Sequence, residues 1–88
     1  MLETEAILDM QQAFVWYEEQ KKDLGYFFLD ELEDCFQKIC NAPLNYSSVT
    51  PHFRKIKLNK FPYLIIYEIE SDNVIINSVR HTGRKPRY

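Results

Sequence analysis

HFRKIKLNKFPYLIIYEIESDNVIINSVRHTGRKPRY, residues 52–88, reads as three short strands followed by a basic tail. Phe61 to Glu70 carries the strongest strand signal, a run rich in Tyr and Ile. His52 to Leu58 alternates imperfectly before it, with Asn59-Lys60 as a short turn between them. Ser71-Asp72-Asn73 has turn composition, and Val74 to Arg80 forms the last strand. Connections this short force neighbouring strands to run antiparallel, which predicts a meander. In the middle strand Tyr63, Ile65, Tyr67 and Ile69 fall on one face, with Leu64 and Ile66 on the other. Both faces are apolar, so each needs a cover.

The preceding half supplies one cover. Residues 4 to about 23 carry Ala6, Met10, Ala13, Tyr17 and Leu24 at steps of three, four and seven, as an amphipathic helix requires. Thr4 is the expected N-cap, and Gly25 is the expected helix-terminating glycine. Glu18, Glu19, Lys21 and Lys22 read as a solvated face. A second helix from about Tyr26 to Asn41 presents Phe28, Leu29, Leu32, Cys35, Phe36, Ile39 and Cys40 as an apolar stripe. Pro43 closes it, because proline excludes helical backbone at the residue before it. Two helices joined by a short turn pack as an antiparallel hairpin. The predicted fold is α+β, in the order α-α-β-β-β, with the hairpin on one face of a three-stranded antiparallel sheet. The second sheet face then has no layer left within the chain, so a partner, a missing segment or a functional groove must account for it, a first hint of a binding protein.

Composition narrows the function. Eighty-eight residues make one expected domain, 1–88, which buries roughly 60–65% of its unfolded surface. The net charge of −2 hides an asymmetry: residues 1–41 hold ten acids and three bases, whereas 42–88 hold eight bases and three acids. A locally cationic sheet suggests an anionic partner, although acidic helices also neutralise a basic sheet within one fold. Cys35 and Cys40 point about 140° apart on a helix and cannot bridge within it. With no Cys/His cluster, neither a zinc site nor any other cofactor is expected. Free thiols and an acidic start, MLETEA, point to the cytoplasm. The longest uninterrupted apolar run, Tyr63 to Tyr67, is far too short to cross a membrane.

Metal-free cleavage of RNA would need a base, an acid and cations around the phosphate. His81 could serve as acid or base, with Glu68 a weaker candidate for the base. The simpler role for His81 is a ring-to-backbone hydrogen bond that fixes the tail against the last strand. Arg54, Lys55, Lys57, Arg80, Arg84, Lys85 and Arg87 could hold a target or nucleic acid, while Tyr63, Tyr67 or Tyr88 could stack on a base. Against this, lysines at 55 and 57 also suit a solvated strand edge, and Tyr63 and Tyr67 share a face with Ile65 and Ile69, as core residues do.

The ordered series WYEEQ at 16–20, FLDELE at 28–33, FRKIKLNKFPYLIIYEI at 53–69 and VRHTGRKP at 79–86 resembles the RelE/ParE superfamily of bacterial toxins. It is closer to the ParE-type branch, in which a strand-borne FPY…Y precedes a His-x-x-Arg-x-Pro tail. The resemblance implies a toxin of a type II toxin–antitoxin operon, neutralised by a cognate antitoxin and gripping a target such as DNA gyrase. A RelE-like endonuclease acting on mRNA at the ribosome, or a degenerate non-toxic member, are the alternatives. Two departures stand out. RNA-cleaving relatives carry arginine where this chain has Leu64, and their phosphate-binding tail arginine falls at Thr82, although Arg84 lies close by and Tyr88 matches a terminal tyrosine. As an RNase the chain would use His81, Arg84 and Tyr88. The family also opens with a strand, and only Met1 to Glu3 precede the first helix here. That strand is therefore expected to be short or missing, leaving an edge through which two copies could pair. An acidic, amphipathic antitoxin segment is expected across the sheet, near Arg80, Arg84 and Arg87.

Overall fold

The structure is a computed structural model, and it describes residues 1–83. Two helices, α1 (Thr4–Gln20) and α2 (Leu24–Asn41), are followed by a short 3-10 turn at Pro43–Asn45. Three strands complete the chain: β1 (Phe53–Lys57), β2 (Tyr63–Glu70) and β3 (Asn73–His81). They form one antiparallel sheet in the order β1-β2-β3. The predicted α+β architecture is the observed one.

The helices pack on the sheet face bearing Tyr63, Ile65 and Tyr67, all buried. An aromatic cluster joins the layers: Tyr17 meets Phe61 at 4.9 Å between ring centroids, and Phe28 meets Tyr63 at 5.0 Å. Edge-to-face geometry sets the positive ring edge against the negative face, adding about 0.5–1.5 kcal/mol per pair beyond burial. Ala6 and Ala13 of α1 are buried within the same core, their small side chains allowing a close approach of the helix.

The helix boundaries differ from the periodicity-based ones. Glu3, not Thr4, occupies the N-cap position of α1, and it makes no side-chain cap bond. The turn between helices is made at Asp23, whose φ of 71° lies in the left-handed region, and not at Gly25. Gly25 is instead buried inside the first turn of α2. A Cβ there would lie 2.7 Å from Phe14 Cδ1 and 2.8 Å from the Phe14 carbonyl oxygen. Glycine is required by helix contact, since backbone cannot yield as a flexible side-chain tip can. Glu18 is not merely solvated: its carboxylate accepts the Gly25 N–H at 2.8 Å and the Asp23 N–H at 3.2 Å. It thus caps the start of α2, where the helix dipole favours an anion.

Both sheet edges carry backbone partners. The residues before α1, Met1–Glu3, pair with β3. Glu3 N–H donates to the Ile76 carbonyl at 2.9 Å, Ile76 N–H donates to Met1 at 2.8 Å, and Leu2 bridges Ile76 in parallel. On the other side, Lys55 N–H donates to Ser47 and Val49 N–H to Phe53. The edge that a short or missing first strand was expected to leave bare lies beside β3 and is covered over residues 74–76.

Candidate functional site

Directly opposed residues of antiparallel strands share a face, so the register sorts the candidate residues. On the face away from the helices lie three rows: Lys57–Leu64–Arg80, Lys55–Ile66–Ser78 and Phe53–Glu68–Ile75. On the helix side lie Arg54–Tyr67–Ile76 and Ile56–Ile65–Val79, with His81 opposite Tyr63. A β-bulge between the Ile66 and Tyr67 pairings inserts Asn77 and keeps the two sets apart.

Lys55 and Lys57 are exposed beside half-buried Leu64 and Ile66. Arg80 leans over buried Ser78, its Nε donating to Ser78 Oγ at 3.1 Å. Glu68 accepts a 3.0 Å bond from Asn77 Nδ2. Ile75 and Ser78 are themselves buried, so this face is less bare than composition suggested. It offers cations flanking apolar surface.

The other candidates are spent elsewhere. Arg54 Nη1 donates to the Tyr46 carbonyl at 2.7 Å and the Leu44 carbonyl at 3.4 Å, tying down the connection that leads into β1. Beside it the Tyr67 hydroxyl donates to the Pro43 carbonyl at 2.6 Å. Burial pushes that hydroxyl above its ordinary pKa; the Arg54 guanidinium opposes the shift and Tyr46 adds to it. His81 stacks edge-on against Tyr63 at 5.1 Å, and its Nδ1 accepts the Gly83 N–H at 2.9 Å. Thr82 N–H and Oγ1 both donate to the Pro62 carbonyl. The end of β3 is thus clamped, with the imidazole on the opposite side of the sheet from Lys55, Lys57 and Arg80. Tyr63 and Tyr67 are core residues. Arg84, Lys85, Arg87 and Tyr88 lie outside the described residues.

Sequence periodicity missed Asp9. It is buried among the α1 core positions, and its Oδ2 accepts the Val79 N–H at 2.9 Å across the helix–sheet interface. A carboxylate on the apolar face of a helix is the signal that marks such a clamp. Among the described residues no group of His, Cys, Asp and Glu could hold a metal ion.

A family model described as ParE toxin of type II toxin–antitoxin system, parDE, matches residues 1–86. The chain belongs to the ParE toxin family. No curated protein sequence matches it. Among solved structures it is similar to a chain of the chromosomal ParDE toxin–antitoxin system from P. aeruginosa, with a TM-score of 0.82 at 9% identity, covering 93% of this chain and 92% of that one. It is also similar to the isolated E. coli RelE toxin, with a TM-score of 0.68 at 19% identity, covering 96% of this chain and 83% of that one. At such identities the likeness is one of fold, and in this chain that fold carries the cationic rows on the sheet face that the helices leave free.

Proposed function

We propose that this ParE family toxin arrests growth by gripping a protein target, DNA gyrase being the one that the resemblance implies, and not by cutting RNA. A cognate antitoxin neutralises it, laying an acidic, amphipathic segment across the free sheet face, where Lys55, Lys57 and Arg80 complement its charge. The observation that carries this reading is the separation of chemistry by the sheet. Cations and apolar groups share one face, whereas His81 is turned to the other and holds the Gly83 amide. General acid–base catalysis needs proton donor and phosphate-binding cations around one reacting group. Docking of a protein needs only the cationic, apolar face.

The test is controlled induction in a bacterial host. Expected are growth arrest, relaxation of a reporter plasmid as gyrase activity falls, and no codon-biased cleavage of mRNA. Lys57→Glu together with Arg80→Glu should relieve the arrest at equal protein level. Cleaved mRNA that disappears with His81→Ala or Arg84→Ala would overturn the proposal in favour of an endonuclease. Absence of arrest would mark a degenerate member.

A further inference from the structure

The sheet face turned away from the helices carries opposite charge at its two ends. Leu64, Ile66, Glu68 and Glu70 of β2 share this face, because side chains alternate along a strand. Strand pairing then sorts the charges into rows. Lys57 and Arg80 flank Leu64, and Lys55 lies opposite Ile66. Farther along, Glu68 lies between Phe53 and Ile75, and Glu70 lies opposite Asn73. Cations thus hold the end where β2 begins, and carboxylates hold the end where it finishes. From Leu64 to Glu70 the two ends stand about 20 Å apart at ~3.3 Å per residue. Glu70 is exposed, and the half-buried Glu68 carboxylate is held by a neutral group, the Asn77 amide, at 3.0 Å. Three strands at a spacing of about 4.8 Å make a strip about 10 Å wide, the diameter of one helix. Its apolar surface is narrow, since Leu64 and Ile66 are half-buried and Ile75 is buried. A strip of roughly 20 Å by 10 Å falls well short of the ~800 Å² that each copy gives to a stable dimer, which argues against a second copy here.

We infer that Glu68 and Glu70 fix the direction in which a partner helix lies on this face. The occupant is an amphipathic helix with Asp or Glu in its first two turns, an apolar stripe, and Lys or Arg in its last turn. About 14 residues at 1.5 Å each span the distance between the charged ends. That charge order also suits the helix itself, whose dipole favours acids at the N-terminus and bases at the C-terminus. Laid the other way, the same helix sets its acids on Glu68 and Glu70 and its bases on Lys57 and Arg80. Contact between like charges rejects that orientation. The inference rests on the reading of this face as the docking surface and adds a polarity to it. Lys55, Lys57 and Arg80 draw the segment in, and the two acids decide which end goes where.

The probe is a fluorescein-labelled 14-residue peptide with Glu in its first two turns, Leu and Ile on one stripe, and Lys in its last turn. Its twin has the same composition with Lys first and Glu last. A side-chain lactam on the outer face holds both helical, so that helix content does not differ between them. Fluorescence anisotropy is read against the full chain. The Glu-first peptide should bind at least tenfold tighter than its twin. Glu68→Gln, which keeps an acceptor for the Asn77 amide, combined with Glu70→Gln should shrink that ratio to less than threefold. Lys57→Glu combined with Glu70→Lys should reverse the preference. Equal affinity of the two peptides for the unaltered chain would overturn the inference, as would binding of neither peptide or a preference that survives both Gln substitutions. So would sedimentation showing a dimer that Glu70→Lys dissolves, since a second copy turned end for end would then fill the face. Peptides that bind equally, both weakened by Lys57→Glu, would remove the polarity and leave the docking surface standing, so the two readings fail separately.

Discussion

Single side chains tie the two layers together at points that hydrophobicity alone would leave loose. Asp9 is the sharpest case: a buried carboxylate satisfies a β3 amide that no strand pairs with. Asp9→Ala strands the Val79 N–H in the interior, at a cost of about 1–3 kcal/mol. Asp9→Asn keeps an acceptor oxygen and should recover most of that loss. Urea denaturation of the two variants, at unchanged m value, checks it. Tyr67 gives a pH signature. Its hydroxyl is raised from the ordinary value of 10.0, chiefly by burial, so the folded state favours the neutral phenol. The contribution is full below about pH 10 and is lost as pH rises through the raised folded value. Tyr67→Phe should flatten the alkaline limb of the stability curve while forfeiting the bond to the Pro43 carbonyl. An unchanged alkaline limb in the variant would assign that limb to other groups.

At the scale of elements, helix ends and sheet edges were settled by neighbours and not by local propensity. Asp23 adopts the left-handed turn that glycine would favour, because Gly25 is needed where α2 crosses Phe14. The same holds for Met1–Glu3, which is too short to be a strand by itself yet supplies the hydrogen bonds that cover β3. Removing these three residues leaves the Ile76 N–H and the Val74 and Ile76 carbonyls without those partners, a template for edge pairing. The shortened chain is expected to self-associate in sedimentation experiments at concentrations where the full chain does not. Should both behave alike, the segment has no protective part. On the opposite edge, Ser47 and Val49 perform the same service for β1 without forming a strand.

Over the whole molecule, the acidic helices and the cationic sheet face are two surfaces of one body, and each has apolar residues among its charges. The order α-α-β-β-β followed from periodicity, because 3.6- and 2-residue repeats map directly onto which side chains can be buried together, and the antiparallel meander followed from the short connections. Membership of the ParE family was legible in the ordered motifs for the same reason: most of their positions lie on the helices and strands that build the fold. What periodicity could not supply was any relation between residues distant in sequence. Arg54 looked like a binding cation and is consumed by Leu44 and Tyr46; His81 follows Arg80 in sequence and points to the opposite side of the sheet; Asp9, one of the ten acids of the first half, is buried. Sequence by itself determined which elements form and which of their faces are apolar, since both are set by local spacing. Only tertiary structure decided which charges remain available, because that depends on where a carbonyl or an amide from another element arrives.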